Sequence, residues 1–398
     1  MNKGVAITGM GIISSIGNTL EENFQSLKSQ TPGISRIENI TTNHKDHIKV
    51  GEIKVSNVDL AAFLKLPNTH NYSRTALIGE IAAKEAVKNA GITDINSCRT
   101  GLISATSVGG MDLTEKYFYS WFDNAENHKF IGSHSAGDSS TKIANSLGIT
   151  GFVSTISTAC SSAANAIMLG ARMIKAGKLD RVIVGGADCM SKFTINGFKT
   201  LMILSESNCM PFDTNRTGLN LGEAGAYLVL ESNECVQKDN KKVLGYVSGY
   251  ANANDAFHQT ASSKDGEGAT LAMNKALKIA NLIPENIDYI NAHGTATENN
   301  DASESAAIRR VFGENVPSVS STKAFTGHTL AAAAAIEAVY SVLALQHNLV
   351  FPNLNFSTPI PETTIIPETE LIEKELNHVL SNSFGFGGNC STIIFSKA

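Results

Sequence analysis

The sequence predicts an α/β fold made of two similar halves, on three observations. Strand-like apolar runs alternate with helix-like ones from end to end, the pattern of a sheet buried on both faces by helices. The helical runs stop at glycine, the residue that most easily takes the left-handed turn past a helix end. One strand–turn–helix passage is echoed far downstream.

The first strand is GVAITGMGII, an apolar run without helical spacing. RTALIGEIAAKEAVKNAG follows as a helix, its apolar residues recurring at three and four. RTGLISATS returns to strand. VSTISTACSSAANAIMLGARMIKAG then reads as strand, short turn and a helix rich in small residues, with Cys160 at the helix opening. RVIVGGAD and GAYLVLE are the next strands, followed by VLGYVSGY, IDYINAHG and STIIF beyond the polar stretch QKDNKK near residue 240. Within that second set, SVSSTKAFTGHTLAAAAAIEAVYSVLALQ repeats the strand, turn and small-residue helix, now opened by His328. The expected division is therefore residues 1–240, carrying Cys160, and 241–398, carrying His293, Lys323 and His328.

A chain of 398 residues with 42% hydrophobic content can fill one large core or two fused ones. Its 17% charged residues and 33 glycines against nine prolines suit many tight strand-to-helix turns rather than disorder. The net charge of −5, with no basic stripe or arm, argues against nucleic acid as a partner. No charged segment leads into an apolar one at the start, so no signal peptide is expected. Apolar runs elsewhere are broken by Gly, Asn and charges, short of the roughly 20 residues of a membrane span, and none is expected. Six cysteines without CxxC pairs or metal-ligand spacing point to reduced, buried thiols in a cytoplasmic protein that holds no metal. The Gly9–Met10–Gly11 run lacks the third glycine and the acidic partner of a dinucleotide site, so none is assigned there.

The chemistry-bearing candidates are few. A cysteine at a helix start meets free N–H groups and the positive end of the dipole, which favours the thiolate of Cys160; the bland alternative is a small buried hydrophobe. His293, in NAHGTATENND after a strand, suits a site rich in hydrogen-bonding side chains, although it would serve equally to cap a turn. His328 follows Lys323 by five residues, and a buried Lys323 would need a partner such as Glu337; both charges could instead be solvated. SFGFGGN places Gly385, Gly387 and Gly388 around Phe384 and Phe386, a backbone able to aim N–H groups at an oxyanion, or a plain hairpin turn.

Taken together, these segments resemble the β-ketoacyl-acyl-carrier-protein synthases of the thiolase superfamily, of the elongating type with a Cys-His-His centre. The resemblance runs nearly end to end, through VAITGMGIISSIG, STACSS, RVIVGGAD, PFDTNRTGLNLGEAGAYLVLE, NDAFHQTA, AHGTATENND, STKAFTGH and SFGFGGN, in the family's order. It departs where RDGF reads Arg216-Thr217-Gly218-Leu219 and GEGAG reads Gly222-Glu223-Ala224-Gly225-Ala226. It departs again where two glycines after His328 are Ala331 and Ala334, and where FGFGGTN ends in Asn389 and Cys390. None of these removes a catalytic group.

The resemblance implies a thiolase-like fold of five layers, α-β-α-β-α. It implies that Cys160 carries the acyl chain, that His293 and His328 assist malonyl decarboxylation and steady the enolate, and that Lys323, held by Glu337, supplies fixed charge. The N–H groups of Cys160 and Phe386 would form the oxyanion hole, with Phe386 also a gate. Thr295 and Thr297 would touch the phosphopantetheine arm, supported by Asp301 and Glu298. Phe384, Gly387 and Asn389 would border the substrate, and Asp255–Thr260 would be a second mobile loop. Val108 would fall near the chain-length-limiting position at a dimer interface, with Met111 and Phe130 as further lining. The implied partners are an acyl carrier protein and its malonyl and acyl thioesters. No cofactor is bound, phosphopantetheine arriving with the carrier. A homodimer is expected, with a heterodimer beside a ketosynthase-like subunit as the alternative. Competing readings are a thiolase or other non-elongating acyltransferase, for which Cys390 would be the second cysteine, and an inactive chain-length partner subunit. Fatty-acid elongation is the expected setting, polyketide or polyene synthesis the alternative.

Overall fold

The computed structural model describes residues 4–363 and 365–398, so the first three residues of the N-terminal stretch lie outside it. Ten strands form one mixed sheet: β1 (Val5–Ser14), β2 (Thr100–Ala105), β3 (Val153–Ile156), β4 (Arg181–Asp188), β5 (Ala224–Glu231), β6 (Gly245–Asn254), β7 (Tyr289–Asn291), β8 (Ser318–Ser320), β9 (His378–Gly385) and β10 (Asn389–Ser396). Their order is β8-β7-β9-β10-β6-β1-β5-β4-β2-β3. Outward from the central β6–β1 pair, each strand of the first run has its counterpart five strands later in the second. Directions repeat as well. β1–β5 and β5–β4 are antiparallel and β4–β2 and β2–β3 parallel, as are β6–β10, β10–β9, β9–β7 and β7–β8 in turn. The two runs join through three antiparallel pairs, Val5–Val247, Ala6–Tyr246 and Ile7–Gly245.

The helices repeat with the strands. The first half has α1 (Arg74–Asn89) after β1, α2 (Ala136–Leu147) between β2 and β3, α3 (Ser162–Lys175) between β3 and β4, then α4 (Lys192–Thr200). The second has α5 (Glu267–Ala280) after β6, α6 (Glu298–Phe312) between β7 and β8, and α7 (Ala333–His347) between β8 and β9. The echo noted in the sequence is thus one topological step taken twice, β3 to α3 and β8 to α7. Gly91 and Gly177 take positive φ just past the ends of α1 and α3, as the sequence predicts.

Alternation along each strand separates the layers, because neighbouring side chains point to opposite faces. In β5, Leu228 and Leu230 enter a central core while Tyr227 and Val229 enter an outer one with α1 and α2. In β9 and β10, Val379, Ile393 and Phe395 face the central core while Leu380 and Ile394 face the opposite outer core with α5 and α6. Small-residue helices α3 and α7 contribute Ala163, Ala166, Ala335 and Ala338 to the central core. Outer helices, sheet, central helices, sheet and outer helices make the five layers. Gly9 and Gly11 serve this packing: a Cβ on either would lie 2.4 or 2.2 Å from the Ala86 or Ala82 carbonyl oxygen of α1. Their work is close approach of helix to strand, not phosphate binding.

One apolar stretch is longer than the sequence analysis allows. The stretch Leu330–His347 is long and apolar enough to cross a membrane by length and composition, although 89% of it is buried inside the fold. It is the second small-residue helix of the sequence, packed into the central core.

Candidate active site

The nucleophile candidate sits where β3 turns toward α3. Helix α3 begins at Ser162 with Ser161 as its cap residue, so Cys160 stands in the turn ahead of the helix rather than on it. That turn is tight: Ala159 has φ +52°, and Ser162 Oγ accepts from the Thr158 N–H at 2.8 Å. Burial pushes the Cys160 thiol up to about 11, against the Lys323 charge and the N–H groups of Phe386 and Cys160, which favour the thiolate. Desolvation thus outweighs the favourable field of the helix start. Those same two N–H groups, aimed at the sulfur, suit an oxyanion formed on an acyl group attached to it.

Two imidazoles close the site. His293 follows β7, and His328 precedes α7, their rings 5.4 Å apart and perpendicular. Burial, the Lys323 charge and, for His293, the neighbouring His328 hold both well below the ordinary histidine value, so both are neutral near pH 7. The Leu330 N–H donates to His328 Nδ1 at 3.2 Å, which leaves the ring proton on Nε2 as a donor. His293 Nδ1 is buried without a hydrogen-bond partner among the described residues.

Lys323 opens a short helix, Lys323–Thr326, ahead of α7. Its ammonium pairs with Glu337, both side chains almost fully buried, and Ser383 Oγ donates to the other Glu337 oxygen at 3.3 Å. The pair expected from the sequence thus forms.

The sequence reading missed Glu304. Its carboxylate takes the His293 N–H at 2.9 Å, the Gly294 N–H at 2.8 Å and Asn382 Nδ2 at 3.1 Å, fixing the backbone that presents His293. Burial pushes it up to about 7. Asp188 was missed as well: it gathers Thr106, Ser107, Val108 and the Ala331 N–H around one buried carboxylate. Both look like ordinary polar residues in sequence.

A cavity of about 310 Å³ contains Cys160, His293 and His328, and is also lined by Thr295, Thr297, Phe384, Phe386 and Gly387. Thr295 and Thr297 are joined by a hydroxyl contact of 2.9 Å. Asp301 holds their loop by accepting from the Ala296 and Phe212 N–H groups. Glu298 supports it through its backbone carbonyl, which accepts from Arg216 at 2.7 Å; its side chain lines the cavity. Phe386 is 37% exposed and stacks 6.1 Å from Phe198. Its turn is tied to the Asp255–Thr260 segment, Gly387 N–H donating to Gln259 and Asp255 N–H to Gly388.

Some expected lining residues stand elsewhere. Val108, Met111 and Phe130 are outside this cavity; Val108 packs against the clusters of Ile195 and Leu77, and Phe130 stacks on Tyr117 at 4.2 Å. Asn389 is also outside it, because its carboxamide oxygen is engaged by Ser161 and Asn165. Cys390, by contrast, lines the cavity, its thiol pushed up to about 12 by burial.

Comparison with known proteins gives a consistent result. The chain matches the family models described as beta-ketoacyl synthase, N-terminal domain, over residues 2–235, and beta-ketoacyl synthase, C-terminal domain, over residues 244–357. It is 33% identical over 410 residues to the 3-oxoacyl-[acyl-carrier-protein] synthase 2 of Staphylococcus aureus, covering 100% of this chain and 99% of that one. Its counterpart from Synechocystis sp. is 34% identical over 413 residues, covering 99% and 98%. Among solved structures, the ishigamide ketosynthase/chain length factor superposes with a TM-score of 0.92 at 29% identity, covering 100% and 99%. A ketosynthase of Xenorhabdus doucetiae, solved in complex with its chain length factor, gives 0.86 at 31%, covering 100% and 98%.

Proposed function

The chain belongs to the β-ketoacyl synthase family, and on that footing we propose that it lengthens an acyl group held on Cys160 by condensation with a malonyl unit carried by an acyl carrier protein. The observation that carries this reading is one cavity holding Cys160, two neutral perpendicular imidazoles and two backbone N–H groups aimed at the sulfur.

In the first half-reaction the Cys160 sulfur attacks the thioester carbonyl of the acyl carrier, and the N–H groups of Cys160 and Phe386 hold the oxyanion. Because burial keeps the thiol protonated, its proton passes to a neutral imidazole as the carbon–sulfur bond forms, and then to the departing carrier thiol. In the second, a malonyl thioester enters and its carboxylate carbon–carbon bond breaks. CO2 leaves, and the electron pair becomes an enolate whose oxygen takes hydrogen bonds from His293 and His328, the latter through Nε2–H. The enolate carbon attacks the acyl-cysteine carbonyl, the carbon–sulfur bond breaks, and the released Cys160 thiolate takes up one proton from solvent, replacing the one that left with the first carrier. Lys323, fixed by Glu337, adds positive charge beside the developing anions. Thr295 and Thr297 take the phosphopantetheine arm, which comes with the carrier, so the chain needs no bound cofactor.

The same proposal places the protein in the cytoplasm as a homodimer. A heterodimer with a ketosynthase-like subunit is the second reading, favoured by structural neighbours described as ketosynthase with chain length factor. Mass analysis of the chain purified alone and with candidate partners separates them. The acyl class is read by intact mass after exposure to a panel of acyl-carrier thioesters, from fatty to polyene. One adduct per chain on wild type, absent from Cys160→Ala, is expected; an adduct persisting on Cys160→Ala overturns the assignment.

A further inference from the structure

The two oxyanion donors come from different halves of the molecule. Cys160 N–H belongs to the β3–α3 turn, and Phe386 N–H to the hairpin between β9 and β10. Hydrogen bonds to an oxyanion stabilise it only within a few tenths of an ångström of the right geometry, so something must hold the two segments in register. Gly385 shows how closely they approach: a Cβ there would lie 2.8 Å from the Thr158 carbonyl oxygen and 3.2 Å from both the Cys160 nitrogen and Ser161 Oγ.

Asn389 stands at the far foot of the same hairpin, paired with Gly385 across it and with Asn254 of β6 on its other side. Its carboxamide oxygen accepts from Ser161 Oγ at 2.8 Å and from Asn165 Nδ2 at 3.1 Å. Ser161 follows the nucleophile directly. Asn165, one turn into α3, also donates to Thr158 Oγ1 at 2.9 Å and accepts from Asn252 Nδ2 of β6 at 2.9 Å. The Ser161 hydroxyl has a single proton, and the Thr158 carbonyl at 2.7 Å shares it, so Asn165 supplies the second fastening. One acceptor on β10 thereby gathers both ends of the turn that presents Cys160.

We propose that Asn389 is a positioning residue for the oxyanion hole, fixing the nucleophile turn against the Phe386 hairpin so that the two N–H donors converge on one point. It lies outside the cavity that holds the Cys160 sulfur. This inference rests on Cys160 being the acylated residue, and the experiment keeps the two apart.

The test compares two reactions of the same thiol. Acyl transfer from an acyl-carrier thioester passes through an oxyanion; alkylation by iodoacetamide does not. Losing an oxyanion donor outright costs about 100- to 1000-fold in rate, and loosening one costs less, about tenfold or more by the same reasoning. Asn389→Ala is expected to slow single-turnover acylation of Cys160, followed by intact mass, by about tenfold or more, with alkylation at fixed pH within about threefold of wild type. Ser161→Ala, which removes the donor at the other end, should show the same split and stands in if the first variant does not fold. Asn389→Asp keeps the acceptor but adds negative charge beside the oxyanion, and should slow acyl transfer also while retaining the fold. Unchanged acylation in folded Asn389→Ala overturns the inference, and so does an equal fall in both reactions, which would mean that Asn389 merely governs access to the thiol. If wild type itself acquires no acyl group at Cys160, it is the nucleophile assignment that fails.

Discussion

At Cys160, burial and charge pull the thiol in opposite directions, and burial prevails: its pKa lies near 11 despite Lys323 and two N–H groups. The free enzyme should therefore be a slow thiolate donor. Iodoacetamide labelling of Cys160 is expected to quicken about tenfold per pH unit from about pH 7 to 10, levelling only near the thiol's own value; a plateau below about pH 8 would show a thiolate already formed. Glu304 behaves differently, since its two oxygens serve three donors. Glu304→Gln has one acceptor oxygen where two are used, and turns an NH2 toward a backbone N–H. A loss of about 1–3 kcal/mol is expected in urea unfolding, and a midpoint unchanged from wild type would sink the claim. Cys160, His293 and His328 stand out in sequence because the first and last open the two small-residue helices and the second follows a strand directly. Glu304 and Asn389 do not. Glu304 lies in DASESAA, which reads as the solvated start of a helix, and nothing local shows that α6 is buried there. The sequence suggests that Asn389 borders the substrate, whereas its carboxamide is turned by Ser161 and Asn165, residues of another segment.

Between strand and helix, the small residues do the positioning. Gly11 of β1 lets α1 lie against the strand, and a Cβ there would stand 2.2 Å from the Ala82 carbonyl oxygen. Gly11→Ala should lower stability by about 1–3 kcal/mol or more, since the obstacle is backbone and cannot turn aside; a thermal midpoint equal to wild type would refute this. The Lys323–Thr326 helix is held to α7 by an ion pair with both partners 2% exposed or less. Removing one partner of a buried pair leaves an uncompensated charge, at a cost of about 3–5 kcal/mol. Glu337→Ala should show that loss, and the apolar pair Lys323→Met/Glu337→Leu should recover much of it while remaining inactive. A Glu337→Ala protein within about 1 kcal/mol of wild type would mean the lysine is not held as a charge. Element types were readable because α3 and α7 carry helical spacing and β4 and β5 are unbroken apolar runs. The exact start of α3 was not, since Ala159 adopts a positive φ that no local residue preference announces.

On the scale of the molecule, the active site exists only where the two halves meet. The first contributes Cys160 and the second His293, His328 and Phe386 to one cavity, while the buried Lys323 of the second acts on Cys160 and both histidines through its charge. The doubling of the fold was visible in the echo of strand, turn and small-residue helix; the meeting of the halves was not, because it depends on α3 and α7 packing between two runs of sheet. Burying titratable groups in that centre makes stability depend on pH with a sign that can be worked out. His293 and His328 have values well below the ordinary 6.5. Below about pH 6.5 an unfolded chain takes up protons at both rings while the fold refuses them, so stability falls with falling pH by about 1.4 kcal/mol per pH unit for each ring. Asp188, Asp301, Glu304 and Glu337 are raised by burial and act in the opposite sense: the stability tied to them is full below the ordinary carboxyl range and is lost as pH rises, for Glu304 through about 7. The two trends overlap, so the wild-type profile alone does not separate them, and a difference between proteins does. His293→Asn/His328→Asn removes both rings and leaves the carboxylates, so its unfolding free energy, from urea melts between about pH 4.5 and 6, should fall less steeply with acid than that of wild type. The gap in slope should approach about 2.7 kcal/mol per pH unit. Parallel slopes would show that the imidazoles already carry protons in the fold, and the neutral pair on which the proposed mechanism depends would go with them.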